Sequence, residues 1–184
     1  MNVAEESNTL LDAGEIDRTL DKMADEMANF VGDARALALV GIQRRGVDLA
    51  RRLAERIKQR LDCEVPMGAL DITLYRDDLQ TIGPKPVVAH TDIPMELTDR
   101  YVIIVDDVLF TGRTIRAALA ELADFGRPAR IGLAVLVDRG GRELPIQADI
   151  VGKNIEADVH DRVDVLLEEV DGTDAVVLVR GEKK

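Results

Sequence analysis

Asp106 and Asp107 stand side by side at the end of a branched apolar run, Val102 to Val105. After a short apolar bridge comes Thr111-Gly112-Arg113-Thr114. Two carboxylates at the carboxyl end of a buried strand can accept hydrogen bonds from vicinal sugar hydroxyls, or hold Mg²⁺ through water. In open α/β sheets ligands bind at such strand ends. A small, hydroxyl-rich turn that opens a helix offers backbone N–H groups to a phosphate. The diol-binding and phosphate-binding ends lie some four residues apart, which is the polarity of a ribose phosphate. The plainer reading is that the acids end a strand and Thr111 or Thr114 caps the helix.

Two further turns have the same character. Gly41-Ile42-Gln43-Arg44-Arg45-Gly46 places two arginines between glycines, suited to gripping a pyrophosphate through forked, charge-assisted hydrogen bonds. Val137-Asp138-Arg139-Gly140-Gly141-Arg142 has two glycines that allow close backbone approach to a ligand. Either could equally be a polar surface turn. Other phosphate chemistries fit less well, because neither G-x-x-x-x-G-K-[ST] nor G-x-G-x-x-G after a strand occurs. A response-regulator-like domain would put acids at strand ends but would not explain the Thr-Gly-Arg-Thr turn. No Ser/His/Asp nucleophile arrangement is evident. His90 and His160 have no metal-ligand spacing, and Cys63, the single cysteine, reads as a bystander thiol in a reducing compartment.

The elements that must position these turns are legible from periodicity. Ile16, Leu20, Met23, Ala24, Met27 and Phe30 mark an amphipathic helix over 15–31, with Gly32 as its stop. Residues 36–42 read as a buried strand. The helix after it presents Val47, Ala50, Leu53, Ala54, Ile57 and Leu61 on one face and most of its arginines on another. A strand is expected over 67–75, then a long polar stretch over 76–100 with a short strand at VVAH. Loops of that length are commonly lids or binding loops. Residues 101–108 form a strand, 112–125 a helix closed by Gly126 and Pro128, and 130–138 another apolar strand. Short strands at about 149–152, 163–167 and 175–180 finish the chain. Continuously apolar strands alternating with helices predict one α/β domain with a mostly parallel sheet covered on both faces.

The chain has 184 residues, enough for one domain with a sizeable core. Aromatics are only 3 %, so that core is aliphatic. A net charge of -11 argues against unspecific coating of nucleic acid or an anionic membrane. The charge is uneven: residues 1–33 carry nine acids and two bases, whereas 34–63 carry eight bases and three acids. That basic segment could serve an anionic small ligand or a local RNA contact. No apolar run approaches the ~20 residues that span a bilayer. The acidic N-terminus lacks the features of a signal peptide, so a cytoplasmic protein with no membrane contact is expected.

VIIVDDVLFTGRT resembles the phosphoribosyl pyrophosphate (PRPP) motif of type I phosphoribosyltransferases. LVGIQRRGVDLARRLAERI, LDITLYRDDL and LAVLVDRGGRELPIQADIVGKNI narrow the resemblance to the PyrR family, pyrimidine operon regulators that are also uracil phosphoribosyltransferases. It runs from about residue 15 to about 180. It implies the type I fold, with a central parallel sheet, flanking helices and a small hood of extra strands around 139–163. It also implies a loop over 76–100 that closes on the site. The implied reaction is Mg²⁺-dependent conversion of uracil and PRPP to UMP and pyrophosphate. Catalytic roles then fall to Arg44, Arg45, Arg76, Asp106 and Asp107, with Asp77 and Asp78 beside Arg76. Substrate contacts come from Asp106 through Thr114 (with Val108, Leu109, Phe110, Thr111, Gly112 and Arg113) and from Arg139, Val151 and Val163. Mg²⁺ would be held mainly by PRPP, touching Asp106 and Asp107 through water. Some members of the superfamily place a proton-accepting acid where this chain has Phe110, so no general base is expected there. The implied partners are pyrimidine operon mRNA and further copies of the chain, as a dimer or tetramer. Yet the first helix, the family's RNA-facing region, carries Asp17, Asp21, Asp25 and Glu26 against only Arg18 and Lys22.

Overall fold

The computed structural model describes residues 7–31, 36–72 and 90–181. Five parallel strands form the main sheet in the order β3-β2-β4-β5-β6: β3 is Met67–Leu70, β2 Leu37–Ile42, β4 Tyr101–Leu109, β5 Arg130–Asp138 and β6 Ile150–Asn154. Between β2 and β3 runs helix α2 (Arg45–Leu61), and after β4 comes α3 (Arg113–Leu122) with a 3-10 turn at Ala123–Phe125. The chain leaves β2 toward one edge of the sheet and leaves β4 toward the other. The topological switch point, where such sheets bind ligands, is therefore between β2 and β4.

Alternation along the central strands explains the two-layer core. Leu37, Leu39, Ile103 and Val105 face α1 (Ala13–Val31) and α2. Ala38, Val40, Val102 and Ile104 face the other way, with Ile115, Ala118 and Leu122 of α3. A strand covered on both faces must be apolar at every position, and all six residues of β2 are buried.

Helix α1 begins at Ala13, two residues before the sequence expectation. Asp12 and Glu15 form a reciprocal capping box: the Glu15 N–H donates to Asp12 Oδ1 at 2.8 Å and the Asp12 N–H to Glu15 Oε2 at 2.9 Å. The third strand also differs, since its ladder ends at Leu70. The remainder of the expected 67–75 strand from residue 73, the stop at Gly32, the VVAH strand, Arg76, Asp77 and Asp78 lie outside the described residues, as does the 76–89 part of the expected closing loop.

A second, antiparallel sheet has the order β1-β8-β7: Ser7–Leu11, Ala175–Val179 and Arg162–Leu166. It is the hood. Its membership differs from the expected 139–163, because β6 joins the main sheet and only β7 and β8 of the late strands form the small one. The third hood strand, β1, was not anticipated. Its SNTLL segment is short and mostly exposed, with no clean alternation, and the β8 edge supplies its pairing. One helical turn, α4 (Glu168–Asp171), links β7 to β8.

Candidate active site

All three turns singled out in the sequence fall at the carboxyl ends of β2, β4 and β5, three neighbours in the sheet with β4 in the middle. On β4, Asp106 is buried and Asp107 half-buried. Adjacent strand residues point to opposite faces, and each carboxylate also orders backbone. Asp106 Oδ1 accepts from the Asp107 N–H at 3.0 Å, and Asp107 Oδ1 from the Val108 N–H at 2.8 Å. The side chains of Val108 and Leu109 pack into the two cores on either side of the sheet.

The turn into α3 needs Gly112 for two reasons. Its φ is +92°, and an added Cβ would lie 3.3 Å from Ile146 Cβ. No side chain caps the helix at Gly112, although Thr111 Oγ1 accepts weakly from the Arg113 N–H at 3.3 Å. The first turn of α3 thus points backbone donors at the space beyond Asp107. Arg113 itself is turned onto Glu143, with Nε donating to Oε2 at 2.8 Å.

The β2–α2 turn is pressed against this loop's strand by glycine contacts. A Cβ on Gly46 would meet the Val105 carbonyl oxygen at 2.5 Å and Asp106 Cα at 3.3 Å. A Cβ on Gly41 would meet the Gly46 carbonyl oxygen at 2.5 Å. Only glycine at both positions lets the arginine turn sit beside the two acids. Within that turn the Gln43–Arg44 peptide is cis. Arg44 is exposed and has no ion-pair partner among the described residues. Arg45 is engaged: Nε and Nη2 donate to the Asp171 carboxylate of α4 at 3.1 and 2.9 Å. That pairing holds Asp171 below the usual carboxylate range, and it raises Arg45, which also feels the field of Asp107.

Just past the end of β5, Arg139 is buried rather than displayed in the cleft. Its guanidinium lies over the Phe110 ring, 4.0 Å from the centroid. Nη1 donates to the Asp161 carbonyl at 2.8 Å and Nη2 to the Asp158 carbonyl at 2.7 Å. Burial pulls this guanidinium below its ordinary pKa range. Arg142 donates to the Phe110 carbonyl at 2.9 Å and the Ile146 carbonyl at 2.9 Å, and pairs with Asp138. Gly141, at φ +71°, passes against the Phe110 ring, where a Cβ would be 2.5 Å from Cε2.

The structure therefore groups Arg44, Arg45, Asp106, Asp107, Phe110, Thr111, Gly112, Arg113, Thr114 and the Arg139 turn around adjoining strand ends. Val151 and Val163 belong to strands of the two cores. Val151 lies on β6, packed toward the α3 core, and Val163 lies on β7 within the α1–α2 core. Asp171, Glu143 and Asp161 escaped the sequence reading. Each is distant in sequence from the arginine it serves, and Asp171 and Asp161 sit in acidic stretches that read as ordinary surface. Among the described residues, no group of three or more His, Cys, Asp or Glu side chains could hold a metal by itself. No described helix is long and apolar enough to cross a membrane.

Comparison with known proteins agrees with this fold. The profile of the phosphoribosyl transferase domain matches residues 7–168. The Bifunctional protein PyrR of Chloroflexus aurantiacus is 55 % identical over 172 residues, covering 94 % of this chain and 94 % of that protein. The Bifunctional protein PyrR of Deinococcus radiodurans is 53 % identical over 170 residues, covering 92 % and 93 %. Among solved structures, the hypoxanthine phosphoribosyltransferase of Trypanosoma cruzi superposes with a TM-score of 0.70 at 19 % identity, covering 95 % of this chain and 97 % of that one. The Staphylococcus aureus hypoxanthine phosphoribosyltransferase gives 0.70 at 20 % identity, covering 94 % and 91 %. At such identities these structures bear on the fold alone.

Proposed function

The chain belongs to the phosphoribosyltransferase family, and within it to the PyrR group; on that premise we propose that it transfers phosphoribose from PRPP to uracil, giving UMP and pyrophosphate. The observation that carries this reading is the seating of Gly46 on the Val105 carbonyl, which sets the arginine turn beside the Asp106–Asp107 pair and the open start of α3. In this reading the two acids receive the ribose hydroxyls, and the backbone and hydroxyls of Thr111 to Thr114 cradle the 5-phosphate. Arg44 and Arg45 meet the pyrophosphate, with Arg45 leaving Asp171 or sharing its charge with it. Bond making and breaking are simple: the C1–oxygen bond to pyrophosphate breaks, and uracil N1 bonds to C1 as its proton passes to water or to the departing pyrophosphate. Phe110 offers no proton acceptor, so the acidity of N1 must suffice for loss of the proton to water or pyrophosphate, or another group must help. The transition state is oxocarbenium-like, and catalysis consists of positioning, charge stabilisation of the leaving group and exclusion of water.

Adjacent carboxylates fit a magnesium–diphosphate complex better than a bare ion, since two donors leave most of the coordination to the diphosphate and water. Bound Mg²⁺ supplies charge neutralisation on the leaving pyrophosphate. The residues that would face it are Asp106 and Asp107.

The relatives' name, bifunctional, supports a second role, and the resemblance suggests uridine-nucleotide-dependent regulation of pyrimidine operon mRNA. The α2 cations that such an RNA would use already have carboxylate partners. The first test is UMP formation from uracil, PRPP and Mg²⁺, with adenine, hypoxanthine and orotate as competing bases, beside Asp106→Asn/Asp107→Asn. Losing two charge-assisted contacts of about 1.5–3 kcal/mol each predicts a fall of at least about a hundredfold in kcat/KM for PRPP, with folding retained. Turnover of a purine in preference to uracil would refute the base assignment. Full activity in the double variant would refute the site.

A further inference from the structure

Helix α2 meets the α4 turn through two arginines, Arg45 and Arg52, whose spacing of two helical turns puts them on one face. The two are bonded differently. Arg52 uses both edges of its guanidinium on the protein. Nε and Nη2 donate to the Glu169 carboxylate at 2.9 and 2.6 Å, and Nη1 and Nη2 to the Asp174 carboxylate at 2.7 and 2.9 Å. It is a fastener, with no edge left for a ligand. Arg45 uses one edge only. Its Nε and Nη2 donate to Asp171, while Nη1 has no hydrogen-bond partner among the described residues. A guanidinium carries five N–H groups in a fixed plane, so the Nη1 edge stays open with Asp171 still bound. The Arg45 side chain is 33 % exposed. Asp171 is the chief cause of its raised pKa, and the field of Asp107 adds to it, so the open edge stands near the acids of β4.

Asp171 is itself held in place. Its Oδ2 also accepts from the Leu167 N–H at 2.9 Å, and its own N–H donates to the Leu167 carbonyl at 2.7 Å. Asp174 closes the same turn by accepting from the Glu168 N–H at 2.7 Å. A carboxylate tied to backbone on one side and forked to an arginine on the other fixes the plane and the reach of that guanidinium. Arg44, the other cation of the β2–α2 turn, is exposed and has no ion-pair partner among the described residues. A solvated arginine must give up rotamer freedom when it meets an anion, and one already fixed gives up little.

We propose that Asp171 is a positioning residue for the arginine turn: through α4 it holds Arg45 by one edge, so that the opposite edge is preset to receive the pyrophosphate end of PRPP. This rests on the phosphoribosyltransferase reading of the site. Asp171 touches neither substrate nor leaving group and acts through Arg45 alone. Arg45 keeps Asp171 when the anion arrives, because the two anions occupy different edges of one cation. If Asp171 were only a stopper that pyrophosphate displaces, its removal would have the opposite sign and would strengthen pyrophosphate binding.

The experiment titrates pyrophosphate with Mg²⁺ by calorimetry into wild type, Asp171→Asn, Arg52→Gln, Arg45→Gln and Arg45→Gln/Asp171→Asn. KM values for PRPP and uracil and thermal melts accompany it. Asparagine has a single acceptor oxygen and turns an amide toward the cation, so Asp171→Asn breaks the fork. Losing that orientation predicts a rise of about tenfold in the pyrophosphate Kd and in the PRPP KM, with the uracil KM changed by less than about twofold. Arg52→Gln loosens α4 from α2 and should lower the melting temperature comparably, yet change the pyrophosphate Kd by less than about threefold. In the Arg45→Gln background, Asp171→Asn should change that Kd by less than about twofold, since its effect runs through Arg45. Unchanged or tighter pyrophosphate binding in Asp171→Asn, an equal loss in Arg52→Gln, or a loss that persists without Arg45 would each overturn the proposal. If Asp171→Asn does not fold, Asp171→Glu decides in its place. Its carboxylate, one methylene group longer, keeps the charge but displaces the fork, so the same rise is expected. If wild type binds pyrophosphate and uses a base other than uracil, the uracil assignment fails alone. If wild type binds neither pyrophosphate nor PRPP, the reading of the site and the role of Asp171 fall together.

Discussion

At the scale of single residues, the site depends as much on what is absent as on what is present. Gly46 contributes no chemistry, but its missing Cβ lets the arginine turn reach β4, since a methyl group there would lie 2.5 Å from the Val105 carbonyl oxygen. That oxygen belongs to a buried central strand and cannot retreat. Gly46→Ala should therefore push the Gln43–Arg45 turn outward, at an overpacking cost of about 1–3 kcal/mol. We expect a lower melting temperature and at least about a tenfold fall in kcat/KM for PRPP, because a turn displaced by a fraction of an ångström misplaces both arginines. Steady-state kinetics beside a thermal melt would check this, and an alanine variant with wild-type kinetics would show that the contact relaxes harmlessly.

Among the elements, α2 is bound to its neighbours by ion pairs on both sides. Arg56 meets Asp17 and Asp21, and Arg60 meets Asp21 and Asp25, all from α1. Arg52 meets Glu169 and Asp174, and Arg45 meets Asp171, from α4 and the turn after it. Exposed pairs of this kind contribute about 0–1 kcal/mol each, so their effect is to orient elements more than to stabilise the whole. They do carry a pH signature. The Arg52 guanidinium holds Glu169 and Asp174 below the ordinary carboxylate range, and Arg45 does the same for Asp171. Carboxylates with folded pKa values below their unfolded ones contribute stability above about pH 4, and that contribution is lost as pH falls through the depressed values. The urea midpoint should thus drop between pH 6 and pH 3, and Arg52→Gln should flatten that drop by removing the cause of two of the three shifts. An unchanged pH dependence in Arg52→Gln would show that α4 is not held this way.

For the whole molecule, the balance of charge bears on RNA. The chain carries -11 overall. The strongly basic helix α2 has carboxylate partners at Arg45, Arg51, Arg52, Arg56, Lys58 and Arg60. An RNA phosphate would have to displace those carboxylates, which occupy the guanidinium forks much as phosphates would. Binding to a pyrimidine operon leader RNA should accordingly be weak at physiological salt. Asp17→Asn/Asp21→Asn/Asp25→Asn frees two arginines and should tighten binding. It should also steepen the log–log salt dependence by roughly 1.4–1.8, at 0.7–0.9 per phosphate neutralised. Filter binding across a KCl series measures both, and a triple variant that binds no better than wild type would mean that α2 is not an RNA face at all.

Local patterns in the sequence determined a good deal: the apolar runs of β2, β4 and β5, the faces of α1 and α2, the acids at a strand end, and the glycine-bearing turns. Each depends on periodicity or on backbone freedom, which act over a few residues and so leave a trace in the order of amino acids. The PRPP motif is legible for the same reason, being contiguous. Only the tertiary structure decided that the three turns adjoin, because strand order depends on which edges pair and how the crossovers run. It also paired Ser7–Leu11 with Ala175–Val179, drew Arg45 to Asp171 and Arg113 to Glu143, and buried Arg139 against Phe110. Those contacts join residues far apart in the chain, and nothing near any one of them encodes the partner. A carboxylate that orients an arginine at the strand ends and one that merely solvates a surface look alike until the chain is folded.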